Sequence, residues 1–154
     1  MSTVRHLNDS KSPPLQKRQL TFLNKNYVIC AVLASLIGTY LDLYFVGKGV
    51  YWFPIRPWFN IFSVNLFFTL VILPVFVIVF LHYVTQIHPR GKAGMMLFIS
   101  LLMPIMERSL EMFGLFAHSE KWEHIYSFFG YMLFLSFIYG IFLWLEKEKE
   151  GQKQ

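Results

Sequence analysis

The sequence predicts an all-α membrane protein, a bundle of four transmembrane helices with an interfacial loop rich in aromatic residues and proline after the first. Of its 154 residues, 55% are hydrophobic, against roughly 45–50% in soluble domains. Only 15% are charged, where about 25% is usual. These charges gather in short clusters between long apolar runs, which is the pattern of a chain that crosses a membrane repeatedly.

Each apolar run is long enough to cross a hydrocarbon core, which takes about 20 helical residues. We predict membrane spans at residues 27–45, 61–84, 93–116 and 125–145. The fourth run contains no formal charge, whereas the third must pass Glu107, Arg108 and Glu111. The third span is therefore the least regular and the most suggestive of function.

The ends of the chain are polar. Residues 1–26 predict a flexible basic arm near anionic headgroups, and residues 146–154 predict a charged tail. The first apolar run continues to Lys48 without the small-residue site of a cleavable signal, so we expect it to remain in the mature protein.

The segment Tyr51–Phe59 contains five aromatic residues and two prolines. It is too apolar for water and too rich in proline for a helix, so we expect it to lie at the membrane interface. Two interpretations stay open: an anchor in the headgroup region, or a lid over a site.

Orientation follows from the lysines and arginines outside the membrane, because these residues resist translocation. Ten lie on the side of the predicted arm and tail, and three on the other, with Arg108 inside the third span. The prediction is a multipass protein with both termini in the cytoplasm. Membrane topology accounts for the formal net charge of +5, and no nucleic acid partner is indicated.

Helical spacing brings polar residues of all four spans to one level near the outer face. In the first span a stripe of small residues, Ala31, Ser35 and Gly38, predicts a packing face and leads to Asp42. In the third span Glu107 and Glu111 lie one turn apart. The predicted cluster contains Asp42, Lys48, Arg56, Asn65, Glu107, Arg108 and Glu111. Loop charges and residue depths are independent observations, so their agreement predicts a polar cavity at that face.

Several interpretations of this cluster compete. It fits an ion-pair network that fixes helix register, or paired carboxylates that exchange protons during transport. It also fits a divalent cation site with His118, Glu120, Glu123 or His124, although no His-x-x-x-His spacing is present and the sequence favours no metal. An intramembrane enzyme would use Glu107 and Glu111 as acid and base. The single cysteine, Cys30, excludes an intramolecular disulfide, and no cofactor is indicated.

The stretch Gly38-Thr39-Tyr40-Leu41-Asp42-Leu43-Tyr44, followed by Gly47-Lys48-Gly49, Tyr51, Phe53-Pro54 and Arg56-Pro57, resembles a family of small multipass membrane proteins of spore-forming Gram-positive bacteria. The resemblance spans most of residues 27–145 and includes Asp42, Lys48, Arg56, Asn65 and Glu107. That family has no assigned activity. The resemblance therefore implies a bacterial cytoplasmic (inner) membrane and gives no mechanism.

The sequence thus favours a small accessory subunit or transport component whose outer polar cluster holds the bundle together or binds a polar ligand. Its expected surroundings are the lipid bilayer and a membrane protein partner or a second copy of the chain. The alternative is a membrane-embedded enzyme that acts on a lipid or isoprenoid headgroup through Glu107 and Glu111.

Overall fold

The computed structural model describes residues 24–151. Its elements are, in chain order, α1 (Lys25–Gly47), β1 (Tyr51–Trp52), a π-helical turn (Phe68–Ile72), α2 (Leu73–Gln86), α3 (Pro89–Met112), β2 (Ala117–His118) and α4 (His124–Gly151). The π-helical turn continues into α2 as one span, Phe68–Gln86. This span, α1, α3 and α4 are each long and apolar enough to cross a membrane. The predicted four-helix membrane bundle is confirmed.

The helices pack in the spatial order α2, α1, α4, α3. Helix α1 packs on α2 and α4, α3 packs on α4, and α2 and α3 make few contacts with each other. The shared core is small and apolar; its fully buried members include Cys30, Ala34, Val77, Leu135 and Ile138. Most other large apolar side chains are exposed, as expected of helices whose outer faces contact lipid.

At one end of the bundle, α1 begins beside the last turns of α4; we call this the tail end. Glu146 accepts hydrogen bonds from Asn26 Nδ2 at 2.5 Å and Asn24 Nδ2 at 3.3 Å. Lys149 Nζ donates to Asn24 Oδ1 at 3.3 Å. Residues 24–26 therefore belong to the folded bundle, which shortens the predicted arm; residues 1–23 and 152–154 lie outside the described chain.

The second span begins later than the predicted residue 61. Asn65, expected inside the helix, instead precedes it, and its Oδ1 accepts a hydrogen bond from the Phe68 backbone N–H at 3.2 Å. A side-chain acceptor satisfies one of the free amides at a helix start. Pro74 follows at the first turn of α2; because proline lacks an N–H, the wider π-helical turn just before it accommodates the missing backbone bond.

Opposite the tail end is the site end, where α1 and α3 turn into the two short strands. Both turns use a glycine in the left-handed region, Gly49 at φ 64° and Gly114 at φ 70°. In each turn the next residue bonds back five positions, as in the Schellman motif: Val50 N–H to Phe45 O, and Leu115 N–H to Leu110 O, both at 3.0 Å or less. The third span therefore ends at Met112, four residues before the predicted end.

The strands join the two loops of the site end. They pair antiparallel, with Tyr51 opposite His118 and Trp52 opposite Ala117. Beyond them Ser119 donates to Val50 O twice, from its backbone N–H at 2.9 Å and from Oγ at 3.0 Å. The loop after α1 and the loop between α3 and α4 are thus held together as one cap.

Candidate functional site

A cavity of about 1010 Å³ lies at the site end, between the cap and the four spans. Most of its wall is apolar, and its polar side chains come from all four spans and both loops. They are Asp42, Tyr51, Arg56, Asn65, Thr69, Glu107, Lys121, Trp122, Tyr126, Ser127 and Tyr131. Four residues of the predicted cluster are among them: Asp42, Arg56, Asn65 and Glu107. The cavity extends along α1 and α4 to Gly38 and Phe134.

Asp42 meets the cap through Tyr51. The Tyr51 hydroxyl donates to Asp42 Oδ1 at 2.6 Å, while Asp42 Oδ2 is buried and has no hydrogen-bond partner among residues 24–151. Burial, and then the nearby Asp42, Tyr131 and Glu107, raises the pKa of the Tyr51 phenol far above its usual value. Tyr51 therefore remains a neutral donor, and the second Asp42 oxygen is left for a ligand.

Tyr51 is fixed by an aromatic cluster in the cap. Its ring lies 5.3–5.9 Å, between centroids, from the rings of Phe45, Phe53, Phe116 and Trp122. These tilted and edge-on contacts are the favourable arrangement of aromatic pairs. From the sequence, the Tyr51–Phe59 segment was expected at the interface, and Tyr51 was not identified as the partner of Asp42.

Glu107 occupies the opposite wall and is held by groups from α4 and the loop before it. Ser127 Oγ donates to Oε1 at 2.5 Å, and Trp122 Nε1 approaches Oε2 at 3.5 Å. His124 Nδ1 lies 3.3 Å from Oε2. Ser127 is 3% exposed, so this carboxylate is positioned by a buried donor.

Glu111 lies one turn further along α3, away from the cavity wall, and faces two histidines. Its Oε1 is 3.0 Å from His118 Nε2, and its Oε2 is 3.3 Å from His124 Nε2. The two imidazole rings are 5.1 Å apart and nearly perpendicular. One donor atom from each of these three residues fits within 4.8 Å of the others, the arrangement of a metal-binding group. Glu120 and Glu123, also considered from the sequence, are exposed and outside this group.

Arg56 organises the Tyr51–Phe59 segment. Its guanidinium donates to the backbone carbonyls of Phe53, Phe59 (3.3 Å) and Phe62 (2.7 Å). This rigid fork of donors closes the turn in which Trp58 takes a φ of 53°. Phe53, Ile55, Arg56 and Pro57 line the cavity, as the lid interpretation requires, while Trp58 and Phe59 are exposed as an anchor would be.

Three residues of the predicted cluster lie outside the cavity lining: Glu111, described above, and Lys48 and Arg108. Lys48 is exposed, with its Nζ 5.8 Å from the centroid of the Tyr44 ring. Arg108 is exposed on α3, and no carboxylate within residues 24–151 forms an ion pair with it. In the described chain the carboxylates are instead held by Tyr51, Ser127, Trp122 and the two histidines. Arg108 lies three residues before Glu111, but its side chain is exposed, and the ion pairs of Glu107 and Glu111 among the described residues are with His118 and His124. An ion-pair network in the described chain therefore does not include Arg108.

Comparisons with protein families, with curated proteins and with solved structures give no match to this chain. The function is therefore argued from the cavity itself. Its chemistry is that of two carboxylates, a phenol and a serine in the lining of a mostly apolar chamber, together with the exposed Lys121. Such a chamber can hold an apolar chain and present hydrogen-bond acceptors to its polar end.

Proposed function

We propose that this integral membrane protein binds an amphiphile in the site-end cavity, as an accessory or transport component of its membrane. The observation that carries the proposal is a large, mostly apolar chamber whose polar residues gather at one end. A purely structural cluster should be closed and fully paired. Here the cavity is open beside Glu107, and Asp42 Oδ2 has no partner in the described chain.

The polar residues specify the headgroup. Asp42 and Glu107 offer carboxylate oxygens, which accept hydrogen bonds from an ammonium or a hydroxyl. Lys121 is the exposed cation of the lining and is available to a phosphate. The proposed ligand is therefore a membrane lipid or isoprenoid with an amine or hydroxyl headgroup, its apolar chain lying toward Phe134.

Gly130 gives a direct test. It lines the cavity, and a Cβ atom added to it would meet nothing within 4 Å, so we expect a leucine there to fill part of the chamber. Gly140 has the same open surroundings, outside the cavity lining and ten residues further along α4. We expect wild type and Gly140→Leu to retain about one extractable amphiphile per chain after detergent purification, and Gly130→Leu to retain about a tenth of that amount. Equal retention in all three proteins would contradict the proposal.

A membrane-embedded enzyme is the second candidate. The observation that favours it is that Glu107 and Ser127 meet in the cavity lining, with the His124 imidazole against Glu107 behind the wall. The Ser127 hydroxyl donates its hydrogen bond to Glu107, and not to a histidine nitrogen. The arrangement therefore differs from that of a serine nucleophile with a histidine base. Turnover of the retained amphiphile by wild type, and its loss in Ser127→Ala, would favour the enzyme over the accessory protein.

For topology we propose that both termini are cytoplasmic, in a bacterial inner membrane as the family resemblance implies. The support is the excess of lysine and arginine on the tail-end side. A cysteine at Ser119, in the cap, is expected to react with an impermeant maleimide added to intact cells. A cysteine at Gly91, between α2 and α3, should react only after lysis. The reverse pattern would show that the orientation is inverted.

A further inference from the structure

We infer that Glu111, His118 and His124 form a binding site for one divalent transition metal ion, with zinc as the best fit. The site lies behind the cavity wall and is separate from the proposed amphiphile site, since none of the three residues lines the cavity. They come from the end of α3, from β2 and from the start of α4. No sequence spacing marks the site because the fold alone brings the three segments together.

The separations of the donor atoms fit a metal. Two ligands at about 2.0–2.1 Å from a tetrahedral zinc lie about 3.4 Å apart. The two Nε2 atoms are 3.0 and 3.3 Å from the Glu111 oxygens that face them. Two imidazoles with one carboxylate are an established zinc donor set, which leaves a fourth position for water or substrate. Hard cations such as Mg²⁺ prefer oxygen ligands alone.

The surrounding hydrogen bonds orient both histidines toward that position. His118 Nδ1 lies 2.9 Å from the Ser119 carbonyl, which can only accept. His124 Nδ1 lies 3.3 Å from Glu107 Oε2. In each ring the proton therefore belongs on Nδ1, and the Nε2 lone pair is directed at the shared site. In metal sites the other ring nitrogen of a ligating histidine usually donates to a carboxylate or a carbonyl in this way.

The backbone holds these groups in place. Glu111 is fixed by the Schellman turn at Gly114, and His118 by the pairing of β2 with β1. Glu107 is itself fixed by buried Ser127. Glu107 therefore links the two sites: one oxygen receives Ser127 at the cavity wall, and the other faces His124.

The test measures metal binding to the purified protein after a chelator has removed bound metal. Calorimetry measures the binding of Zn²⁺, and visible absorption measures the binding of Co²⁺ as a spectroscopic probe. Wild type should bind one Zn²⁺ ion per chain and should give the visible absorption bands of tetrahedral Co²⁺. It should show no binding of Mg²⁺ at millimolar concentration. His118→Ala and His124→Ala should each weaken Zn²⁺ binding at least 100-fold. Glu107→Gln should weaken it about 10- to 100-fold, the usual effect of losing an outer-shell partner.

Two controls keep the outcome decisive. His88→Ala changes a histidine at the opposite end of the bundle, before α3, and should bind Zn²⁺ as wild type does. Gly130→Leu should also bind Zn²⁺ as wild type does. The amphiphile proposal can therefore fail without affecting the metal proposal, and the metal proposal can fail without affecting the amphiphile proposal. Wild-type protein that binds no zinc, or binding that His118→Ala and His124→Ala leave unchanged, would overturn the inference and leave the histidines as ion-pair partners of Glu111.

Discussion

Replacing Glu107 by glutamine is expected to lower the free energy of unfolding by about 2 kcal/mol, the usual effect of losing hydrogen bonds to a charged group, and to abolish amphiphile retention. Glutamine keeps the shape of the side chain but replaces one acceptor oxygen with a donor. That nitrogen would face either Ser127 Oγ or the ring nitrogens of His124 and Trp122. Each of these groups donates to Glu107, so the new N–H would face another donor. Unfolding in a mild detergent, monitored by circular dichroism, measures the free energy of unfolding.

Glu146→Gln is the matched control for this substitution. Glu146 also accepts two side-chain hydrogen bonds, from Asn24 and Asn26, but at the tail end. It should lose about 1–2 kcal/mol of stability and retain the amphiphile. If both variants lose the amphiphile in proportion to their stability, the role of Glu107 is structural, and the ligand proposal loses its polar anchor.

Removing the hydrogen bond between Tyr51 and Asp42 is expected to give the second large loss of stability. Tyr51→Phe removes the donor at 2.6 Å and leaves a buried carboxylate with no partner on either oxygen in the described chain. We expect the free energy of unfolding to fall by about 2 kcal/mol, because a buried carboxylate without a hydrogen-bond partner is costly. Asp42→Asn should have a smaller effect, because an amide oxygen still accepts from the phenol.

A double-mutant cycle separates this bond from general loss of packing. Tyr51→Phe combined with Asp42→Ala, which removes the acceptor, should be less destabilising than the sum of the single changes, with a coupling of about 1–2 kcal/mol. Tyr40→Phe, at an exposed tyrosine on the same helix as Asp42, should change stability by less than about 0.5 kcal/mol. Additive single effects would show that the two side chains do not interact.

Much of the fold could be predicted from the sequence, because membrane crossing leaves a strong signal in runs of apolar residues. Loop charges and positions within the apolar runs together placed Asp42, Asn65 and Glu107 at one level, and all three line the cavity. The stripe Ala31, Ser35 and Gly38 was predicted to be a packing face, and it is: Ala31 and Ser35 are buried, and Gly38 lies against Leu73.

The partners of the polar residues could not be predicted, since they depend on how the loops return. Tyr51 reaches Asp42 because Gly49 turns the chain back, and His118 reaches Glu111 because β2 pairs with β1. Asn65 looked like an interruption within a span, yet it precedes the helix and satisfies its first free amide. Arg108, three residues before Glu111, seemed a natural partner for the carboxylates, but the loop histidines pair with them instead.

The amphiphile in the site-end cavity is the central claim, and the mass of the intact protein tests it most directly. Native mass spectrometry of the wild-type chain, released from native membranes without detergent exchange, should show the chain carrying one amphiphile of defined mass. That adduct should persist in Gly140→Leu and disappear in Gly130→Leu. A bare chain in all three proteins, or the same mixture of lipids on each, would contradict the account.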